Sequence, residues 1–220
     1  MAGNPDQPRD SRGRWTKATS GTVGAAVVAG LMMSAGGGGT TASVGSSVES
    51  AAAQRGTQVK TTRSSRNAAR KGNEGEAWKR MGLRRLRQEV RHDLSCAAQS
   101  YGEVQQYLLR HPCKKLQQRL FPVADGEGNV IAVSVMWVRM PSRTTASGLK
   151  RVEDEYGTGD VIPVGTQLLG FGGFRFTGEH YDSDQDGTLL TIAETEPVSG
   201  HPTDTLLDGV ASIATALPPP

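Results

Sequence analysis

"QQRLFPVADGEGNVIAVSVMWVRMP", residues 117–141, is the stretch on which the fold class turns. Its two apolar runs are separated by "DGEGN", where Asp, Gly and Asn supply the positive φ angles and local side-chain bonds of a tight turn. The pattern predicts a β-hairpin. The second run, residues 130–140, is apolar on both faces, which makes it a central strand. Pro122 has no N–H for a ladder, which puts the first strand at or near a sheet edge.

Downstream, "SRTTASGLKRVEDEYGTGD" reads as a helix capped by Ser142. Ala146, Leu149, Val152 and Tyr156 step along one side of it, and Gly157 and Gly159 end it. "VIPVGTQLLGFGGFRFTGEHY" and "GTLLTIAETEPV" supply two or three more strands. "HPTDTLLDGVASIATALPPP" closes the chain with a helix whose cap is Thr203 and whose buried line is Leu206, Val210, Ile213 and Leu217.

Upstream of the hairpin, Cys96 and Cys113 bracket "AAQSYGEVQQYLLRHP", a short helix with Val104, Tyr107 and Leu108 on one side, stopped by Pro112. The order from Cys96 is therefore helix, hairpin, helix, hairpin, helix. The expected architecture is α+β: over residues 96–217, an antiparallel sheet of about four to five strands with helices on one face, and a Pro tail at 218–220.

A helix that turns back after Cys96 can bring the two Cα atoms within the ~6 Å of a disulfide. Closing that loop would contribute roughly 3 kcal/mol on the chain-entropy picture. Neither cysteine belongs to a CxxC pair, and His92, His111, His180 and His201 form no H-x-x-x-H pair, so zinc is disfavoured. The other reading is two buried free thiols in a cytosolic protein.

The front of the chain differs in composition. Residues 1–95 hold sixteen Lys and Arg against seven Asp and Glu, about +9; the rest hold nine against fifteen, about −6, within a total of +3. Hydrophobic residues make up 36% and aromatics 5%, too few for a core along the whole length. Residues 1–17 read as a disordered basic tail. Residues 18–42 carry no charge and include "TVGAAVVAGLMMSA", preceded by Arg9, Arg12, Arg14 and Lys17 and followed by small residues. That is the layout of a signal peptide or membrane-associated segment. If the segment is retained, the basic flank places the N-terminus in the cytoplasm.

Residues 43–74 lack apolar periodicity and read as a flexible linker. Residues 75–95 space Leu83, Leu86, Val90 and Leu94 as one side of an amphipathic helix, with Trp78 and Met81 before them. Its other side carries Arg80, Arg84, Arg85, Arg87 and Arg91. Such a face suits an anionic surface, whether lipid or nucleic acid, although a solvated helix face has the same composition.

The runs "SCAAQSYGEVQQYLLRHPCKKL", "LFPVADGEGNVIAVSVMWVRMP", "ASGLKRVEDEYGTGDV" and "FTGEHYDSDQDGTLLTIAETEPV" follow one another in order. In this the chain resembles a group of actinobacterial proteins of unassigned function. They share a basic N-terminus, an apolar segment, a paired-cysteine "C…GEVQ…L…PC" motif and an α+β tail. The resemblance spans about residues 90–217 and implies an exported or membrane-anchored domain, with no catalytic residues to carry over.

Signatures of chemistry are few. There is no G-x-S-x-G, Walker loop or H-E-x-x-H. "GFGGF", residues 170–174, precedes a strand-like run and reads as a bulge or close backbone approach. The acid pairs Glu153 with Asp154 and Glu194 with Glu196 have the composition of a carboxylate site, but solvated polar faces explain them as well. Asp182, Asp184, Asp186 and Gly187 open like a calcium loop. The twelfth position is Ala193 where a bidentate Glu is required, and the flanks are strand-like. A hairpin turn is the better reading, leaving the three aspartates as a weak metal candidate and no cofactor expected.

The leading expectation is a non-catalytic, exported or membrane-anchored cell-envelope domain. It would serve as a binding or accessory module with an envelope protein partner and, secondarily, an anionic lipid surface. One alternative is an intracellular nucleic-acid-associated protein using the basic region 55–91. Another is an envelope enzyme built around Glu179, Glu194 or Glu196.

Overall fold

The computed structural model of the protein describes residues 45–86, 89–91, 95–155, 159–162 and 174–220, with side chains from residue 57 onward except at 89–91. The tail at 1–17 and the apolar segment at 18–42 lie outside these residues, as do Tyr156, Gly157 and most of "GFGGF".

In chain order the elements are α1 (Gly45–Arg70), α2 (Glu74–Arg80), β1 (Arg84–Arg85), β2 (Glu89–Arg91), a 3-10 turn at Ala97–Gln99, α3 (Gly102–Arg110), β3 (Lys115–Ala124) and β4 (Val130–Arg139). They continue with α4 (Arg143–Glu153), β5 (Tyr181–Asp186), β6 (Leu189–Ser199) and α5 (Asp204–Ala214). All strand pairs are antiparallel, in the order β1-β3-β4-β6-β5, and β2 pairs with β3 further along. The α+β class and the order of elements after Cys96 are as expected.

The β3–β4 hairpin is paired from Lys115↔Arg139 to Ala124↔Val130. Asp125 closes its turn: Oδ1 accepts from the backbone N–H of Glu127 at 2.8 Å and of Asn129 at 2.9 Å. β3 is near the edge, screened by two short strands. The Pro122 carbonyl accepts from Leu86 N–H at 2.9 Å between them, and a residue's N–H and C=O point to the same side in an antiparallel strand. The donor that Pro122 lacks therefore falls where the outer ladder is already interrupted. α4 starts at a capping box, Ser142 and Thr145 exchanging side-chain and backbone bonds, and Thr203 caps α5 by accepting from Leu206 N–H.

Strand β4 alternates Ile131, Val133, Val135 and Trp137 onto one face and Ala132, Met136 and Val138 onto the other, all buried. The first face, with Phe121, Val123 and Ala193, packs on Leu207, Val210 and Ile213 of α5, on Ala68 and Ala69 of α1, and on Ala77 and Trp78 of α2. On the second, Met136 and Val138 with Leu116, Leu190 and Ile192 pack on Val104 and Leu108 of α3 and on Ala146 and Leu149 of α4, while Ala132 packs with Leu120 against Phe174, Phe176 and Val198. Helices thus cover both faces, which corrects the one-sided arrangement. Each large apolar side chain left wet would forfeit about 1.5–3 kcal/mol, and a strand apolar on both faces demands two covers.

Two expectations about residues 43–95 are corrected as well. The segment read as a linker is largely α1. It mixes Ala, Gln, Lys and Arg with Ser, Thr and Gly and carries no apolar stripe, and it docks through small residues and ions. The basic helix of 75–95 ends at Arg80. Gly82, at φ 71°, closes a Schellman motif: its N–H bonds to the Lys79 carbonyl at 3.0 Å and Leu83 N–H to that of Trp78 at 2.9 Å, and Leu83 and Trp78 share the same core. Residues beyond it then pair with β3 as β1 and β2. The spacing of Leu83, Leu86 and Val90 fits a helix, but backbone pairing with β3 and the glycine stop outweigh that period.

Candidate functional site

Strand β5 lies at the sheet edge and carries polar groups on both faces, so we build the site from it. Asp182, Asp184 and Asp186 share the face toward α1 and α5; Tyr181, Ser183 and Gln185 share the other.

On the first face a single guanidinium holds two aspartates. Arg66 donates from Nη1 to Asp182 Oδ2 at 3.0 Å and from Nη2 to Asp184 Oδ2 at 2.9 Å, and it also reaches Ser212 Oγ at 2.6 Å. Arg70 adds a bond to Asp184 at 3.0 Å, and Thr215 Oγ1 donates to Asp182 at 3.1 Å. Burial pushes the Asp182 carboxyl above its ordinary range, and the Arg66 charge is the largest influence pulling it back.

Asp186 pairs with Leu189, and the connection is only Gly187 (φ 60°) and Thr188. The hairpin reading of "YDSDQDGTLLT" holds, but with two aspartates inside the strand and not in the turn. Among the described residues no group of three His, Cys, Asp or Glu is placed to hold a metal ion. Asp182 and Asp184 already have their counter-charge in Arg66.

On the second face, Asp154 at the end of α4 gathers three donors. Tyr181 Oη donates to its Oδ1 at 3.0 Å, Ser183 Oγ to the same atom at 2.7 Å, and Lys150 Nζ to Oδ2 at 2.6 Å. Lys150 Nζ also bonds Ser183 Oγ. A serine beside a lysine has the membership of a nucleophile and its base. Here Lys150 Nζ bonds both a carboxylate and the serine oxygen, and Ser183 Oγ donates to Asp154. The cluster is a clamp from α4 to β5.

Deeper on this face Ser134 lies opposite Glu194, and Glu194 opposite Tyr181. Glu196, one pair along, accepts from Thr177 N–H at 2.7 Å and from Thr177 Oγ1. Burial raises the Glu196 carboxyl, with the Thr177 bonds opposing it. Glu194 and Glu196 do share one face of the strand. The expectation of solvated acids is corrected: Glu153, Glu194 and Glu196 are 1%, 2% and 9% exposed. Glu179 is exposed.

The basic residues do not form one helical stripe. Arg80 bonds Glu76 and the Ser64 carbonyl, each at 3.0 Å; Arg84 and Arg85 are exposed on β1; Arg91 is in β2; Arg87 lies outside the described residues. Glu74 receives Arg85 at 3.3 Å and Arg119 at 3.0 Å. Beside them Glu74, Trp78, Lys79, Leu83, Arg84 and Arg85 line a cleft of about 450 Å³. Sequence reasoning missed it, since the segment was read as one helix; "WKRMGLRR" mixes the required residue types, but only the glycine stop turns them toward one another.

Cys96 and Cys113 are placed as a disulfide pair with Cα atoms 6.2 Å apart, closing the segment that holds α3. α3 in turn seats on α4: Tyr107 Oη donates to the Thr145 carbonyl at 3.0 Å, above Gly148, where a Cβ would overlap that hydroxyl. Among the described residues no helix is long and apolar enough to cross a membrane. No protein-family model matches the chain, and no curated protein or solved structure matches it either.

Proposed function

We propose that the protein is a non-catalytic domain of the cell envelope, exported or membrane-anchored, acting as a binding or accessory module for an envelope protein. The observation that carries this reading is the Cys96–Cys113 pair, set at bonding distance across a helix that covers one face of the sheet. Such a staple persists in oxidising compartments and is reduced in the cytosol. Residues 18–42, with basic residues before them, have the composition of the export or anchoring signal that this location requires. Binding to nucleic acid is disfavoured because Arg66, Arg70 and Arg85 spend their charge on carboxylates of the same chain, leaving fewer cations to displace counterions from phosphate.

Cell fractionation combined with alkylation of unreduced thiols tests the reading. The expected result is recovery in the envelope or medium with neither cysteine labelled until a reductant is added. Cytosolic recovery with two reactive thiols would overturn it.

A further inference from the structure

We infer that the end of the sheet where β3 begins and β4 finishes is a docking surface for an anionic lipid bilayer. Arg110, Lys114, Lys115, Arg139 and Arg143 would meet its headgroup phosphates, and Leu109 would enter the interface beside them. The inference goes beyond the envelope reading and stands or falls independently of where the protein resides.

Charge is segregated in this part of the chain. From residue 96 onward there are nine Lys and Arg against fifteen Asp and Glu, yet five of those nine converge at one end of the sheet. Arg110 ends α3, Lys114 and Lys115 lead into β3, Arg139 ends β4 and Arg143 opens α4. The strand register sets Lys115 directly opposite Arg139, and Lys114 N–H donates to the Arg139 carbonyl at 2.7 Å. The bond from Tyr107 Oη to the Thr145 carbonyl holds the last turn of α3 against the first turn of α4, which adds Arg110 and Arg143 to the group. Like charges directly opposite one another weaken a strand pair, so the fold itself gains nothing from this arrangement. All five side chains are exposed, and among the described residues none of them makes an ion pair. Arg66, Arg70, Arg85, Arg119 and Lys150, by contrast, are all paired within the chain. Asp186, the acid in the same row of the sheet, lies two strands away from Arg139. Leu109, next to Arg110 in the last turn of α3, is 65% exposed. Duplex DNA or an acidic protein segment would answer the charge and leave Leu109 in water, and protein interfaces are in addition poor in Lys. A bilayer answers both. Its negative surface potential attracts each Lys and Arg, and an apolar side chain beside them sinks into the boundary between headgroups and acyl chains.

The test is amine footprinting of the full chain with an acylating reagent, read residue by residue by mass spectrometry. It is run with vesicles of phosphatidylglycerol and phosphatidylcholine, with vesicles of phosphatidylcholine alone, and with duplex DNA. Lys60 and Lys71, both exposed, are controls within the same molecule. We expect the anionic vesicles to slow acylation of Lys114 and Lys115 roughly fivefold or more while Lys60 and Lys71 change less than about twofold, and about 0.5 M salt to abolish the difference. An Arg139→Glu/Arg143→Glu variant keeps both reporter lysines and alters two exposed residues; circular dichroism verifies its fold. In it the slowing is expected to drop below about twofold. No slowing, equal slowing on neutral vesicles, equal slowing at Lys60 and Lys71, slowing by DNA in place of the vesicles, or full slowing in the variant would each overturn the inference. Failure here would leave the location reading untouched, since fractionation and thiol state are read separately.

Discussion

The face of the sheet that meets α1, α2 and α5 and the face that meets α3 and α4 meet the same requirement, covering β4, with different chemistry. The first is closed by the aliphatic line of α5, the Trp78 ring of α2 and the alanines of α1, and sealed at its rim by Arg66 on two aspartates. The second is closed by aliphatic side chains, a cysteine pair and the Lys150–Asp154–Ser183 clamp, with Glu153 and Glu194 enclosed beneath. The first cover comes partly from residues far upstream in the chain, the second from residues that directly flank the hairpin. A helix next in sequence needs only a local closure to stay in place. α1, recruited from the basic front, is held by charge, because it brings only alanines to the core.

The comparison is broken most severely at Phe121. It is fully buried, 5.9 Å from the Trp78 ring between centroids and 5.0 Å beneath the Arg119 guanidinium. Phe121→Ala is expected to cost about 3–5 kcal/mol in urea unfolding. A loss below about 1 kcal/mol would mean that α2 does not seal the first face. Next comes the staple. Replacing Cys96 and Cys113 together by serine is expected to cost about 2–4 kcal/mol. If the double variant unfolds at the same urea concentration as the parent, the second face is held by its apolar contacts alone.

The smallest effect is expected at Arg66, and its pH dependence sharpens the contrast. Burial raises the folded-state carboxyl of Asp182 above its ordinary value of 3.8. A carboxyl raised on folding favours the folded state while it is protonated, and that contribution is lost as pH rises through its folded value. Arg66 offsets this loss. Arg66→Gln is therefore expected to cost about 2 kcal/mol near pH 7 and less at an acidic pH, where protonation of Asp182 removes the charge that Arg66 serves. Unfolding midpoints at the two pH values measure it. An equal cost at both would remove Asp182 as the acid that Arg66 serves.

What could be read without the structure follows from how local each interaction is. The β3–β4 hairpin was legible because period-two alternation and the Asp125 turn lie within one stretch. Ser142 and Thr203 were legible because a cap bonds only three residues ahead. α1 was not, since its docking depends on Arg66 finding Asp182 across a separation of 116 residues, which leaves no periodic trace. The end of α2 was misread because Leu83, Leu86 and Val90 satisfy a helical spacing, and the decisive Gly82 looks like any tolerated helix glycine. The buried carboxylates were misread because acids are usually surface residues, and the elements that enclose these lie far from them in sequence, as Thr177 does from Glu196. The cleft followed the same fate as the helix that was expected in its place.

α1 gives the chain ahead of the sheet a fixed direction. Its 26 helical residues amount to a mast about 39 Å long, at 1.5 Å per residue. A coil of equal length would span about 28 Å on average and every shorter distance besides. With its foot bolted to β5 through Arg66 and Arg70, the mast sets both the height and the compass bearing of the domain relative to residue 45. Residue 45 is then confined to a thin shell of positions about the sheet, not spread throughout a volume.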